Sequence, residues 1–170
     1  MTSPSTKVVV LSDTHGYFSE SLATTIEQLA PNLIIHAGDS ESAQILWQLE
    51  QIAPLIAVRG NCDWHSELEQ LPFAAKHQVD NLLIAVAHRP EDLMKVLREL
   101  NRKELANHQV IGIHGHTHVP KLEQDSISKA TILCPGSPTE PRKDSQPNIA
   151  LLTLAPDVAE KPIQVEFIEV

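Results

Sequence analysis

Asp13 and His15 stand two residues apart, and His116 and His118 repeat that spacing far down the chain. In an extended turn, side chains at this spacing can face one ion. Asp39 in Gly38-Asp39, Asn61 in Gly60-Asn61-Cys62-Asp63, and His88 supply three more oxygen or nitrogen donors. Carboxylates, imidazoles and one carboxamide, without an ordered set of thiolates, suit Mn²⁺, Fe²⁺ or Zn²⁺. They suit an all-oxygen calcium cage or an all-sulfur structural zinc site less well. Seven donors exceed what one four-coordinate ion takes, so the set predicts two metals.

Taken singly, these signals have plainer readings. Asp-x-His at the end of an apolar run can be a turn whose Asp caps a helix, and Gly-Asp is an ordinary turn. His88 alone reads as a buried histidine with one hydrogen bond. The run His114-Gly115-His116-Thr117-His118 is different, because a turn has no reason to select alternating imidazoles.

The elements that must position these donors are legible as short apolar runs. Val8 to Leu11, Leu33 to Ile35, Leu55 to Val58, Leu82 to Ala87 and Val110 to Ile113 each open into one donor cluster. Strand ends on one edge of a layered α/β sheet converge, and ligands bind outside their carboxyl ends, so one shared site is predicted. Helical spacing of apolar residues marks Ser19 to Leu29, Ala43 to Ile52 and Glu91 to Leu105, the last with Pro90 in its first turn. Phe73 to Val79 and Leu82 to Ala87 flank Asp80-Asn81, a hairpin connection. Beyond the last histidine motif only strands are expected, over Pro120 to Glu123, Ala130 to Cys134, Ile149 to Leu154 and Ile163 to Ile168. Pro135 to Pro147 reads as a loop and candidate cleft wall. The expected fold class is α/β, a four-layer sandwich of two mixed β-sheets flanked by helices.

Composition bounds the rest. With 170 residues, a single domain over 1–170 is expected. The longest apolar run, Leu82 to Ala87, is far short of the roughly 20 residues of a membrane helix, and Met1 to Thr6 does not read as a signal peptide. Only Cys62 and Cys134 occur, which argues for a reducing compartment, the cytoplasm, rather than a disulfide framework. A net charge of −9 argues against broad capture of nucleic acid. Two divalent ions against Asp13 and Asp39 would still leave a locally positive centre for an anionic substrate.

The order Asp-x-His, Gly-Asp, Gly-Asn, His, Gly-His-x-His resembles the calcineurin-like metallophosphoesterases. Gly60-Asn61-Cys62-Asp63 and Gly115-His116-Thr117-His118, on a chain this short, look like the small bacterial and archaeal phosphodiesterase branch, to which the retromer scaffold subunit is related. The resemblance spans Val8 to about Arg142. It implies one metal held by Asp13, His15, Asp39 and His118, and another held by Asp39, Asn61, His88 and His116, with Asp39 bridging. It also implies a small phosphoester substrate attacked by a hydroxide shared between two divalent ions. Mn²⁺ is the first expectation, with Fe²⁺, Zn²⁺ and Ni²⁺ as alternatives. Asp39, Asn61 and His88 would take part in catalysis, and Asn61 would also contact substrate. Homo-oligomers occur in the family.

Several residues stay open. Cys62 stands where many relatives carry a histidine that protonates the leaving group, and a thiol of pKa about 8.5 is a plausible donor. Asp63, counted with the catalytic set, could orient Asn61 or Cys62, or cap the adjoining helix-like segment. Arg89 and Arg142 are candidate phosphate contacts. Arg89 could equally pair with Glu91 or Asp92, and this plainer reading is slightly preferred. His36 and His114 read as groups behind the ligands. Trp47 and Trp64 read as core, with a pocket-lining alternative for Trp64. The expected function is phosphodiester hydrolysis; a non-catalytic, protein-binding scaffold on the same fold is the alternative.

Overall fold

The computed structural model describes residues 5–79, 81–100, 102–154 and 163–170. Ten strands form two sheets. In chain order, β1 (Thr6–Leu11), α1 (Glu20–Leu29), β2 (Leu33–His36), α2 (Ala43–Ile52) and β3 (Leu55–Ala57) alternate strand and helix. A short 3₁₀ turn over Leu68–Gln70 leads to β4 (Ala74–Val79) and β5 (Leu82–Ala87), then α3 (Pro90–Glu99), α4 (Arg102–Asn107) and β6 (Gln109–Ile113). The tail is β7 (Lys121–Gln124), β8 (Thr131–Cys134), β9 (Asn148–Leu154) and β10 (Gln164–Glu169).

The first sheet runs β10-β9-β1-β2-β3 and the second β4-β5-β6-β8-β7. Strands β1, β2 and β3 are mutually parallel, as are β5, β6 and β8; the outer strands β9, β10, β4 and β7 are antiparallel to their neighbours. Successive side chains of a strand point to opposite faces, and β1 shows what that does here. Val8 and Val10 meet Ile35, Ile84, Val86, Ile111 and Ile113 between the sheets. Val9 and Leu11 turn outward onto Leu22 and Ile26 of α1 and Ile45 and Leu49 of α2. On the far side, Leu83, Ala85 and Ala87 of β5 pack against Leu93 and Leu97 of α3. Strands buried on both faces need unbroken apolar sequence, and Leu82 to Ala87 supplies it. Each fully buried Leu, Ile or Val side chain contributes roughly 1.5–3 kcal/mol. These contacts form the expected four layers.

Local chemistry sets the helix ends. Ser19 Oγ accepts the amide of Leu22 at 3.0 Å to cap α1, and Ala30 ends it in the left-handed conformation before Pro31. One expectation needs correction. Glu91 to Leu105 is not one helix: the backbone turns extended at Leu100 (ψ 129), whose side chain is buried in the α3 cluster, and α4 follows as a separate turn. The hairpin strands β4 and β5 form, with Val79 opposite Leu82, while Asp80 of the expected connection lies outside the described residues.

Candidate metal centre

Donor-bearing loops leave the carboxyl ends of the parallel strands β1, β2, β3, β5 and β6, and hydrogen bonding continues past the strands. Asp13 N donates to Gly38 O at 3.0 Å, His15 N to Asp39 O at 3.1 Å and Gly16 N to Ser40 O at 2.9 Å, so the first two loops run side by side. Gly115 N donates to His88 O at 3.0 Å, joining the β5 and β6 loops. Across the sheets, His116 N donates to Asp13 Oδ2 at 3.0 Å. Asp13, His15, Asp39, Glu41, His116 and His118 all have positive φ, between 45 and 68°. Such residues cost about 1–3 kcal/mol each and persist where surroundings over-determine them, commonly at functional sites. Gly60 is needed for a different reason. A Cβ there would collide with the carboxylate and amide of Asp39, so only glycine lets the β3 loop lie against that side chain.

Three imidazoles are held in one tautomer. His88 Nδ1 lies 2.8 Å from the carbonyl of Ala37, His118 Nδ1 2.6 Å from the carbonyl of Glu140, and His15 Nδ1 2.5 Å from a carboxylate oxygen of Glu41. These oxygens only accept, so each Nδ1 carries a proton and, in the neutral imidazole that a metal binds, each Nε2 presents a lone pair. The lone pairs converge on one another and on carboxylates. His15 Nε2 and His118 Nε2 are 3.1 Å apart, and His118 Nε2 is 3.2 Å from Asp13 Oδ1. His88 Nε2 approaches Asp39 Oδ2 to 3.1 Å without hydrogen-bond geometry, and it is a buried nitrogen with no hydrogen-bond partner. Asn61 Oδ1 is likewise buried and unpartnered, while the amide nitrogen of that side chain donates to Cys62 Sγ at 3.2 Å. Buried acceptors pointed at acceptors are unfavourable unless a cation lies between them. The donor set therefore fits divalent metal.

Three groups of donors emerge among the described residues, Asp13-His15-His118, Asp39-His88-His116 and His15-Glu41-Cys62, each with ligand atoms within 4.8 Å of one another; the first two make up the candidate pair of sites. Asp13 Oδ1 is 4.0 Å from His88 Nε2, so the groups adjoin. Without metal, protons respond to the same crowding. Burial alone would raise Asp13 and Asp39, yet His118 and His88 beside them hold Asp13 below the usual carboxylate range and Asp39 down at about 2. Burial opposes charge on His88 and His118, but their carboxylate partners win and raise both. His116 goes the other way, lowered by burial and by the charges of His88 and Arg89.

His36 and His114 lie behind the candidate ligands. His36 Nε2 contacts Thr14 Oγ1 at 3.1 Å and its Nδ1 accepts from Gly38 N at 3.3 Å; His114 Nδ1 donates to Gly115 O at 2.8 Å. Asp63 neither orients the side chains of Asn61 and Cys62 nor caps the next segment. Its buried carboxylate accepts the amides of Gly60 at 2.7 Å, Glu41 at 2.8 Å and Asp39 at 3.0 Å, tying the β2 and β3 loops together. Burial, then the charge of Asp39, pushes the Cys62 thiol up to about 11, making it a weaker acid than its type suggests. Arg89 makes no ion pair among the described residues, contrary to the plainer reading. Asp92 pairs instead with Lys95 at 2.7 Å. Arg142 Nη1 reaches His116 O at 3.5 Å. Trp47 and Trp64 are not core residues, being 54% and 74% exposed.

Four residues of the site escaped sequence reading. Glu41 orients His15, and Glu140 orients His118 through its carbonyl. Ser137 Oγ and Thr139 Oγ1 both donate to Asp13 O, at 2.8 and 3.1 Å, anchoring the Pro135 to Pro147 loop on the β1 loop. The turn signal Pro135-Gly136-Ser137 was the only hint.

Comparison with known proteins agrees with this geometry. The model of the calcineurin-like phosphoesterase superfamily domain matches residues 6–157. A probable metallophosphoesterase of Methanothermobacter thermautotrophicus is 31% identical over 153 residues, covering 85% of this chain and 84% of that protein. Among solved structures, a novel archaeal phosphodiesterase has a TM-score of 0.65 at 20% identity, covering 95% of this chain and 99% of the other. Vacuolar protein sorting 29 of Cryptosporidium parvum has a TM-score of 0.70 at 17% identity, covering 98% of each chain. At those identities the structures share a fold.

Proposed function

This chain belongs to the calcineurin-like phosphoesterase superfamily, and we propose that it is a single-domain, dimetal phosphodiesterase of the cytoplasm that uses Mn²⁺. The observation that carries the reading is the convergence of the Nε2 atoms of His15, His118 and His88 on one another and on the carboxylates of Asp13 and Asp39, with His88 Nε2 and Asn61 Oδ1 buried and unpartnered. Divalent ions held there would activate water near neutral pH and neutralise charge growing on the phosphoryl oxygens. Asp13, His15 and His118 would hold one ion, and Asn61, His88 and His116 the other, with Asp39 shared between them. Glu41, Ala37 and Glu140 keep the three imidazoles in the tautomer that ligation needs. Arg89, exposed and without an ion pair among the described residues, and Arg142 flank His116 and supply guanidinium donors for phosphoryl oxygens. In metal-free protein Cys62 keeps its proton at neutral pH, and a thiol there can donate to a departing alkoxide.

The fold shared with an archaeal phosphodiesterase supports diesters over monoesters. The fold shared with a vacuolar sorting protein supports the second reading, a protein-binding scaffold. Turnover separates them. Metal-free protein titrated with Mn²⁺ should bind two ions per chain and hydrolyse an aryl phosphodiester faster than the matching monoester. Asp39→Ala should lose both bound metal and hydrolysis, because the shared carboxylate is gone. Two tightly held ions in that variant would overturn the ligand assignment. A metal-loaded protein inert toward a full phosphoester panel would favour the scaffold.

A further inference from the structure

A cavity of about 280 Å³ adjoins the centre, lined by Arg59, Asn61, Phe73, His88, Arg89 and Asp92 among others. Its walls are attached to the candidate ligands by backbone. Arg59 precedes Gly60-Asn61, and its amide donates to Pro72 O at 2.8 Å, which brings Phe73 alongside. Strand β4 begins with Ala74 opposite Ala87, so Phe73 enters that register across from His88. Phe73 is 72% exposed. One face of the ring is covered by the Arg59 guanidinium, 5.4 Å from its centroid, and Arg59 is steadied from behind by Glu69 at 3.7 Å. Leaving a phenylalanine in water beside a charged centre gains nothing for folding.

We infer that this cavity is a subsite for a planar ring carried by the ester, stacked on the open face of Phe73 with Arg59 backing the other face. The inference rests on the phosphoesterase reading, since it takes the phosphate to sit at Asn61 and His88. A cavity near the lower bound of small-molecule sites, about 300 Å³, has room for one ring-bearing alcohol and not for a folded protein segment. Aromatic stacking tolerates different rings, so aryl and nucleobase groups share the required chemistry. The guanidinium contributes a cation–π contact that pre-orients the platform.

Calorimetric titration of the Mn²⁺-loaded protein tests this without needing turnover. Phenylphosphonate should bind about tenfold more tightly than methylphosphonate, a magnitude typical of one stacked ring. The ratio should fall toward one in Phe73→Ala and Phe73→Leu and persist in Phe73→Trp. A second pair, a nucleoside 5′-monophosphate against ribose 5-phosphate, separates the sources. Preference in the first pair alone assigns a directly attached aryl ring, and preference in the second a nucleobase. No ring preference in either pair overturns the subsite, as does a preference that survives Phe73→Leu. Loss of bound metal in both Phe73→Ala and Phe73→Leu also overturns it, by making Phe73 part of the metal scaffold. If metal-loaded protein binds neither phosphonate, the phosphoesterase reading itself fails, a distinct result.

Discussion

Cys62 is the residue on which catalytic power turns. A general acid works best when its pKa lies near the working pH, and an effective one contributes 10²–10⁴-fold. In metal-free protein burial and the Asp39 carboxylate push this thiol up to about 11, so its proton is retained but released reluctantly. Its help is therefore confined to leaving groups that are themselves strong bases. Cys62→Ala should slow an alkyl phosphodiester about tenfold while leaving a nitrophenyl diester nearly unchanged, measured as kcat at saturating Mn²⁺. Cys62→His should accelerate the alkyl ester, because an imidazolium is the better acid. Equal slowing of both esters by Cys62→Ala would mean that the thiol only positions Asn61, whose amide donates to Cys62 Sγ at 3.2 Å.

At the scale of elements, the site is a set of strand-end loops that must be held in strained conformations, and Asp63 does much of the holding. Three backbone amides from two loops converge on its carboxylate. Asp63→Ala leaves them buried without acceptors, at roughly 1–3 kcal/mol for each unsatisfied group. The variant should melt several degrees lower and bind metal more weakly by about 10–100-fold, the range seen when groups behind ligands are lost. An unchanged metal affinity with a lowered melting temperature would confine Asp63 to stability. Asp63 also shows why candidate donors are legible in the sequence and the groups that hold them are not. Donor identity is written in side-chain type, in the apolar run before it and in the order of the motifs along the chain, so Asp13, His88 and His118, each ambiguous alone, stand out as a set. What Asp63, Glu41 and Ser137 touch depends on pairings between loops 22 to 124 residues apart, which no local pattern encodes. The same limit explains the helix over Glu91 to Leu105. Its apolar spacing is helical throughout, yet burial of Leu100 against the second sheet breaks it.

For the molecule as a whole, the buried histidines make stability depend on pH in opposite senses. His36 is fully buried, and that burial lowers its pKa to about 4, so it folds neutral with Nδ1 accepting from Gly38 N. The unfolded chain takes up that proton near pH 6.5, the folded one only near 4, so stability falls as pH drops across that window. The shift corresponds to about 3 kcal/mol. His88 and His118 are raised despite burial, because in metal-free protein a proton is the cation that separates each Nε2 from its carboxylate. Their contribution is complete below the ordinary histidine pKa and is lost as pH rises through the raised values. Metal-free protein should therefore be most stable between these limbs. Divalent metal should abolish the alkaline fall by replacing those protons, and its affinity should weaken as pH drops. Urea unfolding from about pH 4 to 9, with and without chelator, measures both limbs. His36→Asn, which keeps an acceptor near Nδ1 but does not titrate, should flatten the acid limb alone. An acid limb unchanged in that variant would assign the loss to His114 and His116, which are lowered as well, or to the carboxylates, whose own window, from 3.8 down to about 2 for Asp39, lies lower.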